Sequence, residues 1–591
     1  MAILLIALLG LFYQDSPPGP DEILEQLSSV RLDKGQIHFI RDVTIRRDAL
    51  TIVFNRGAIA FLEPVRGKVT GAAFIGSGEI VTIPPDPIER QQIHKFTGTP
   101  VLNETFQSAI FRFSDNTYEE IRKEISGRAA EEVSADDAAQ FDSLEVSRPD
   151  GVTVLNLRLL ADFLEPQGKP LFLGQLNSDR AGWFSVVFDQ RAAEEVSVYQ
   201  TRTAGTVVVA DVWSSFNQRT EARNPEAVAH ENKAPAEILG YEIEGTAATR
   251  NDLDLRVMMR LRARTEGVRL LNFDLAPALR VASVQTGTDE ALSYYRRPDT
   301  NSLTVVTASP LKADQELALR IAYAGDGTGE GPWYPSQHQQ SIPAIQSSLD
   351  LPGGSSGKLI EYSGHKVAPA SYHDQWLVEG LTRYLAVMPT ETNDPARTQL
   401  LKFLVDARDQ LKPVESAGPI WLGSRLVSTV TPDAYRAVQA KGVWVIHMLR
   451  MMLRKNGSDP DATFMALLKE FAETYSGKAA STWDFRRLAE KHSGQKLDWF
   501  FDQWVFGTGL PVYALEYKVE GSGNQYTIEG KITQTGVPDG FVMPVPVYAD
   551  GEYLDTVEPG DLDEPFRLRV SKKPEQVVID PEMTILTGAS Q

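Results

Sequence analysis

The chain has 591 residues, no cysteine and a formal net charge of −20, with 42% hydrophobic and 23% charged residues. These are globular proportions, and the length suits roughly three to five domains. The missing cysteines exclude disulfides, thiolate metal sites and cysteine nucleophiles together, and an acidic chain without a long basic run lacks the footprint that a nucleic-acid partner needs to neutralise phosphates.

In chain order, Ala2 to Phe12 is an uninterrupted apolar run, followed by Gln14, Asp15 and a Pro/Gly-rich stretch ending at Pro20. It is too short to span a bilayer and has the length of a signal-peptide core, which predicts a leader and linker over 1–20 and an extracytoplasmic protein, periplasmic or secreted. The alternative is a buried strand or helix at the chain start. No other stretch reads as membrane-spanning.

Residues 21–235 are expected to be β-rich with a helical insert. Ile37 to Ile40, Leu50 to Phe54 and Ala58 to Leu62 read as short strands between Arg, Asp and Gly punctuation. Tyr118 to Phe141 reads as helical and acidic, with Glu131, Glu132, Asp136 and Asp137 on a solvated face. Val207 to Trp213 reads as a strand again. Residues 236–335 form a second β-domain, since Leu253 to Leu261, Leu303 to Val306 and Leu317 to Ile321 alternate with the period of half-buried antiparallel strands. Over 336–374 the clearest feature is a linker-like patch, Gly353 to Gly357. Helical periodicity governs 375–511, with breaks at Asn456-Gly457 and Ser476-Gly477, and strands return over 512–591 as a small sandwich. The fold class that follows is multidomain α+β: N-terminal antiparallel β-rich domains, a helical domain and a C-terminal β-sandwich.

Four stretches occur together in a telling order. Tyr323-Ala324-Gly325 and Trp333-Tyr334-Pro335 come first, then Trp376-Leu377-Val378-Glu379-Gly380, then Lys441-Gly442 running to His447-Met448-Leu449-Arg450, then Phe500-Phe501-Asp502-Gln503-Trp504 with Gly507, Gly509 and Pro511. In this order they resemble the M1 family of zinc aminopeptidases, in which a "WLxEG" helix carries the third zinc ligand and a "KGxxVLHMLR" helix follows. The resemblance implies that 236–335 corresponds to the family's N-terminal domain, that 336–374 is a truncated catalytic-domain remnant, that 375–511 corresponds to the second half of a thermolysin-like catalytic domain, and that zinc is the ancestral cofactor. Glu379 falls on the third ligand position.

The departures are as specific. The family's HExxH places two histidines one turn apart on a helix face with a general base between them, and it occurs nowhere in this sequence; His230-Glu231 is the nearest string and has no second histidine. The GxMEN loop that receives the substrate amine is absent. The transition-state tyrosine, two residues before the Lys-Gly pair, is replaced by Gln439. Pro335 and Gly364 are only 29 residues apart, which reads as a deletion of the β half of the catalytic domain and its zinc helix, natural or engineered. Glu379 is accordingly expected to be a relic with no cofactor bound. The sharper alternative is a rebuilt metal site with His365, His373 or Glu361 as new partners. His447 is expected in the core. No G-x-S-x-G elbow supports a serine hydrolase.

Two functions follow. One is a catalytically inactive, peptide- or protein-binding scaffold outside the cytoplasm. The other is a zinc aminopeptidase that removes N-terminal residues, as the resemblance implies. If the β half is missing, the side chains that faced it lose their cover. Leu377, Leu381, Val443 and Ile446 are the candidates, which predicts an exposed patch and weak self-association.

Overall fold

The computed structural model describes residues 19–127, 133, 135–144, 155–165, 168–204, 207–220, 234–249, 252–297, 300–327, 334–336, 367–394, 397–455, 457–559 and 564–588. The leader, His230-Glu231, Glu131, Glu132, the Gly353 to Gly357 patch, Glu361 and His365 all lie outside these residues. The described residues fall into two compact units. In the first part of the chain the helices are α1 (Pro20–Ser29), α2 (Pro87–Thr97), α3 (Thr117–Ser126), α4 (Ala135–Gln140) and α5 (Leu155–Leu164). Of these, α2 belongs to the second unit.

The first unit opens with six antiparallel strands in sequence order: β1 (Leu32–Arg47), β2 (Leu50–Leu62), β3 (Gly71–Thr82), β4 (Leu102–Phe113), β5 (Leu171–Ser178) and β6 (Gly182–Asp189). One face is aromatic: Phe54 meets Phe74, Phe106 and Phe111 at centroid separations of 4.8, 6.3 and 5.6 Å, within the range where tilted and edge contacts are favourable. Another part of the sheet is covered by α1 and α5 through Ile23, Leu27, Leu159 and Leu160 packed on Leu62, Leu171 and Leu173. The runs Leu50 to Phe54 and Ala58 to Leu62 are one strand, not two. The register shifts between Phe54 and Arg56, a bulge, and Gly57 then pairs with Gly76. A Cβ on Gly57 would lie 2.2 Å from the Ile75 carbonyl oxygen, so glycine here permits close strand approach and does not end the strand.

The unit continues with β9 (Ala236–Thr249), β10 (Asp252–Ala263), β12 (Leu279–Thr286) and β15 (Glu316–Gly325) in the order β12-β15-β10-β9, beside a three-stranded sheet of β11 (Leu270–Asp274), β14 (Ser302–Val306) and β13 (Ser293–Arg296). The alternation from Leu253 to Leu261 places Leu253, Leu255, Val257, Met259 and Leu261 in the core, as period two requires. Tyr241 donates from its hydroxyl to the Pro335 carbonyl oxygen at 2.8 Å and packs edge-on against Tyr334.

The second unit contains α2, the paired strands β7 (Val196–Ala204) and β8 (Val207–Phe216), and everything described from Val367 onward. Val367–Pro369 forms β16, parallel to β17 (Lys478–Ala480). The helices are α6 (Gln375–Val387), α7 (Thr398–Leu411), α8 (Tyr435–Leu453), α9 (Ala462–Thr474), α10 (Thr482–Ser493) and α11 (Asp498–Trp504). Two three-stranded sheets follow: β18 (Val512–Ser522), β19 (Gln525–Thr535) and β22 (Glu564–Val570), and β21 (Glu552–Val557), β20 (Val545–Ala549) and β23 (Val577–Ile579). One continuous core joins the helices to these sheets, from Trp376 and Trp444 to Ile528, Val547 and Leu586. That core overturns the expected exposed patch. Leu377, Leu381, Val443 and Ile446 are all at most 3% exposed and packed within the core of their own unit.

The pair α2 and β8 is tied to the Gly418 to Thr431 loop by buried charge. Arg425 reaches both oxygens of Glu89, Nη1 to Oε1 at 2.7 Å and Nη2 to Oε2 at 3.0 Å. Ser214 Oγ and the Ser215 backbone N–H also donate to Glu89 Oε2, and Arg425 Nη1 donates to the Tyr372 hydroxyl. Asp211, fully buried, accepts from the Thr429 N–H at 2.7 Å. No helix among the described residues is long and apolar enough to cross a membrane.

Candidate functional site

Two of the family-like stretches, Trp376 to Gly380 and Lys441 to Arg450, meet where α6 crosses α8. A Cβ on Gly380 would lie 2.6 Å from the Gly442 carbonyl oxygen, and one on Gly442 would lie 2.7 Å from the Trp376 carbonyl oxygen. The two helices therefore touch backbone to backbone, which only glycine at both positions allows. The start of α6 is held by Asp374. Its Oδ2 accepts from the Ser371 N–H and hydroxyl, a capping box, and its Oδ1 accepts from the Thr482 N–H at 2.6 Å and hydroxyl at 2.8 Å. Burial raises the Asp374 pKa, and these hydrogen bonds oppose the rise. Trp376 Nε1 donates to Thr482 Oγ1 at 3.0 Å. On α8, Lys441 is buried with Nζ 3.3 Å from Glu415 Oε1 and 3.0 Å from the Gly507 carbonyl oxygen. Burial lowers its pKa, with Glu415 opposing. The Lys-Gly pair thus does two structural jobs, an internal ion pair and a helix crossing.

Glu379 lies one residue before the crossing and is partly exposed. Its Oε2 accepts from Arg383 Nε at 3.0 Å, and its Oε1 lies 3.5 Å from the Tyr435 hydroxyl. Burial, with Glu379 beside it, pushes the Tyr435 phenol up to about 12, so the phenol stays protonated as a donor at neutral pH. Reading the sequence missed both partners; the i,i+4 spacing is the signal that could have found Arg383, whereas Tyr435 comes from another helix. Gln439 is half-buried on α8, one turn beyond Tyr435.

These residues do not fit a zinc ion. A zinc site needs three or four converging ligands. Glu379 instead has a guanidinium on one oxygen, whose charge opposes a cation, and among the described residues no three His, Asp or Glu side chains gather. His373, the described histidine weighed as a new ligand, is 2% exposed, stacks on Trp421 with centroids 3.6 Å apart and has Nδ1 at 2.8 Å from the Trp421 carbonyl oxygen. A carbonyl only accepts, so Nδ1 donates and Nε2 keeps the lone pair; what His373 lacks, among the described residues, is a second and third His, Asp or Glu gathered beside it. The Glu379–Arg383 pair is partly exposed, and such i,i+4 pairs contribute about 0.3–0.5 kcal/mol. Glu379→Ala is therefore expected to change stability by less than about 1 kcal/mol in urea unfolding; a loss above about 2 kcal/mol would mean that the carboxylate sits in a stronger network.

His447 is a core residue, as expected, but in a polar chain. Its Nε2 faces the Met583 carbonyl oxygen at 3.0 Å and so carries the proton. Nδ1 accepts from the Tyr384 hydroxyl at 2.9 Å, which accepts from Arg450 Nη1 at 3.0 Å. Burial, with Arg397, Arg450 and Arg454 nearby, pushes the His447 pKa down to about 3 from 6.5. The unfolded chain binds the extra proton between these values. The contribution is whole above about pH 6.5 and is lost as pH falls, by about 1.4 kcal/mol per unit. Asp580, pushed up to about 6 by burial, acts oppositely. It holds its proton in the folded state, so its contribution is present at lower pH and is lost as pH rises through about 6. The two partly cancel in the wild type, so the prediction is a difference. Between about pH 6 and pH 4 the wild type should lose about 1.4 kcal/mol more per unit than His447→Gln. Parallel urea-unfolding profiles for the two proteins would contradict the assigned neutral imidazole.

No known family model matches the chain. Among curated proteins, transcription initiation factor TFIID subunit 2 of Schizosaccharomyces pombe is 24% identical over 159 residues, 26% of this chain and 13% of that protein. The chain thus spans a small part of that relative's length. Among solved structures, a glutamate-to-alanine mutant of an M1 zinc metallopeptidase from Deinococcus radiodurans, bound to a Tyr-Ser-Ala substrate, matches with a TM-score of 0.36 and 14% identity over 48% of this chain and 96% of that one. A second structure of the same mutant matches with a TM-score of 0.34 and 14% identity, over 48% and 97%.

Proposed function

We propose that this chain is a catalytically inactive relative of the M1 zinc aminopeptidases that works outside the cytoplasm as a scaffold for peptides or a protein partner. The observation that carries the reading is the state of Glu379. The carboxylate at the position of the third zinc ligand is taken by Arg383 on one oxygen and approached by Tyr435 on the other. The sequence supports it further. Peptide hydrolysis in the family needs a zinc-polarised water, a general base and a group that steadies the tetrahedral intermediate. The HExxH helix that supplies the first two is absent from the sequence, and Gln439 offers an amide where the third needs a phenol. The family-like residues Gly380, Lys441, Gly442 and His447 serve the packing of the helical unit, which suits a binding body. The curated relative bears the name of a subunit of a transcription initiation factor, and a subunit's part in an assembly agrees with the scaffold role over the 159 residues matched, though not with a place outside the cytoplasm. The test is release of a chromogenic amine from aminoacyl substrates with zinc added. The expected result is no turnover above background. Chelator-sensitive turnover would overturn the reading and favour a zinc aminopeptidase that removes N-terminal residues.

A further inference from the structure

Small side chains floor one face of the first unit's large sheet. Ile37 on β1, Ala60 on β2 and Ala73 on β3 stand opposite one another in register, and Phe39 and Ala58 form the cross-strand pair two residues along. Residues two apart on a strand share a face. The short 3₁₀ turn Phe141–Ser143 lies over this floor, with Phe141 and Leu144 packed against Ala58, Ala60 and Ile37. Alanines leave space beneath it, a cavity of about 640 Å³ whose apolar wall includes Leu32, Ile37, Ala60, Ala138, Phe141 and Leu144. Among the described residues its charged groups are Arg31, Lys34 and Asp142. Lys34 Nζ bonds Asp142 Oδ1 at 2.9 Å, so these two neutralise each other.

Beyond Ile37 the same face of β1 becomes cationic. Arg41 and Arg56 are direct cross-strand partners and both are exposed. Their guanidinium carbons lie 5.4 and 5.5 Å from the centroid of one ring, Phe39. Like charges held directly opposite on a sheet repel each other, and an anion shared between them removes the repulsion and gains charge-assisted hydrogen bonds. Ile37, Phe39 and Arg41 are successive residues of one strand face, so the cation pair stands about 13 Å along β1 from the cavity wall. Cavity, aromatic ring and cation pair are thus in line on a single face of the first unit. We propose that this face holds one molecule of a fatty acid, its acyl chain in the cavity and its carboxylate on Arg41 and Arg56. The alanine and leucine wall suits methylenes, the cavity is of the size that small ligands ordinarily fill, and the paired arginines set the sign of the head group.

The test is isothermal titration of the full chain with octanoate, decanoate and dodecanoate, each below its micelle concentration, and with 1-decanol. The wild type is expected to bind one acid per chain, about fourfold tighter for each added methylene, and to bind 1-decanol about tenfold more weakly than decanoate. Arg56→Gln, an exposed change that leaves the cavity intact, is expected to weaken decanoate about tenfold and to leave 1-decanol unchanged. Ala138→Phe, which fills the cavity and leaves both arginines, is expected to weaken decanoate and 1-decanol alike by about tenfold or more. Absence of saturable binding overturns the proposal, and so does binding that ignores chain length, as a face reserved for a peptide or a second copy would give. Affinities unchanged in both variants would place the acid elsewhere on the chain and overturn it equally.

Discussion

Replacing Glu89 by alanine is expected to lower the stability of the second unit by about 3–5 kcal/mol, the range for removing one partner of a buried ion pair. Glu89 and Arg425 are both almost inaccessible, 2% and 9% exposed at their side chains, and are joined through both carboxylate oxygens. Without Glu89 the Arg425 guanidinium is left with neutral acceptors such as the Tyr372 hydroxyl and the Ser215 carbonyl oxygen, and the Ser215 N–H loses the Glu89 carboxylate. Little of this comes from the attraction itself, because desolvation of the two ions offsets much of it. The double variant Glu89→Leu with Arg425→Met should therefore recover most of the loss. Urea unfolding of the wild type, both single variants and the double variant closes the cycle. Single variants within about 1 kcal/mol of the wild type would show that water reaches the pair, and that its burial is overstated.

The second large effect is expected at Gly442. A helix-interior glycine replaced by alanine normally gains about 1 kcal/mol from propensity. Here the added carbon would meet the Trp376 carbonyl oxygen at 2.7 Å and the Gly380 Cα at 3.4 Å. Both contacts are backbone, so neither can rotate away and α6 must move off α8. Overpacking of this kind costs about 1–3 kcal/mol for a methyl and more for a branched side chain. Gly442→Val should lose at least about 3 kcal/mol, whereas Gly457→Ala, in open space, should stay within about 0.5 kcal/mol. Equal stability for the two variants would mean that the helices are free to separate.

The contrast between these sites shows what the sequence could tell. Period-two alternation from Leu253 to Leu261 gave a strand because one face of β10 is buried along its whole length. The helical span from Gln375 was legible for the corresponding reason, a 3.6-residue stripe ending at glycine breaks. The Glu379–Arg383 pair went unread although one helical turn separates the two. Tyr435 carried no local signal, because it reaches Glu379 from a different helix. The Glu89–Arg425 pair was also invisible, as the partners are 336 residues apart and no local pattern marks either. Glycine misled at Gly57, where it was read as strand punctuation and instead admits a neighbouring strand. At Gly442 the motif carried a resemblance but gave no sign of the helix crossing that its missing side chain permits. The buried state of Leu377, Leu381, Val443 and Ile446 depends on which other elements close over them, and helical periodicity says only that they share an apolar environment.

The central proposal is that Glu379 holds Arg383 and not a zinc ion. Native mass spectrometry of the full chain, purified without chelator and then equilibrated with zinc, addresses this directly. The account predicts no stoichiometric zinc, and the same mass after Glu379→Ala apart from the substitution. About one zinc per chain, as a catalytic site with three protein ligands binds, lost on Glu379→Ala, would contradict it and return Glu379 to the role of a ligand.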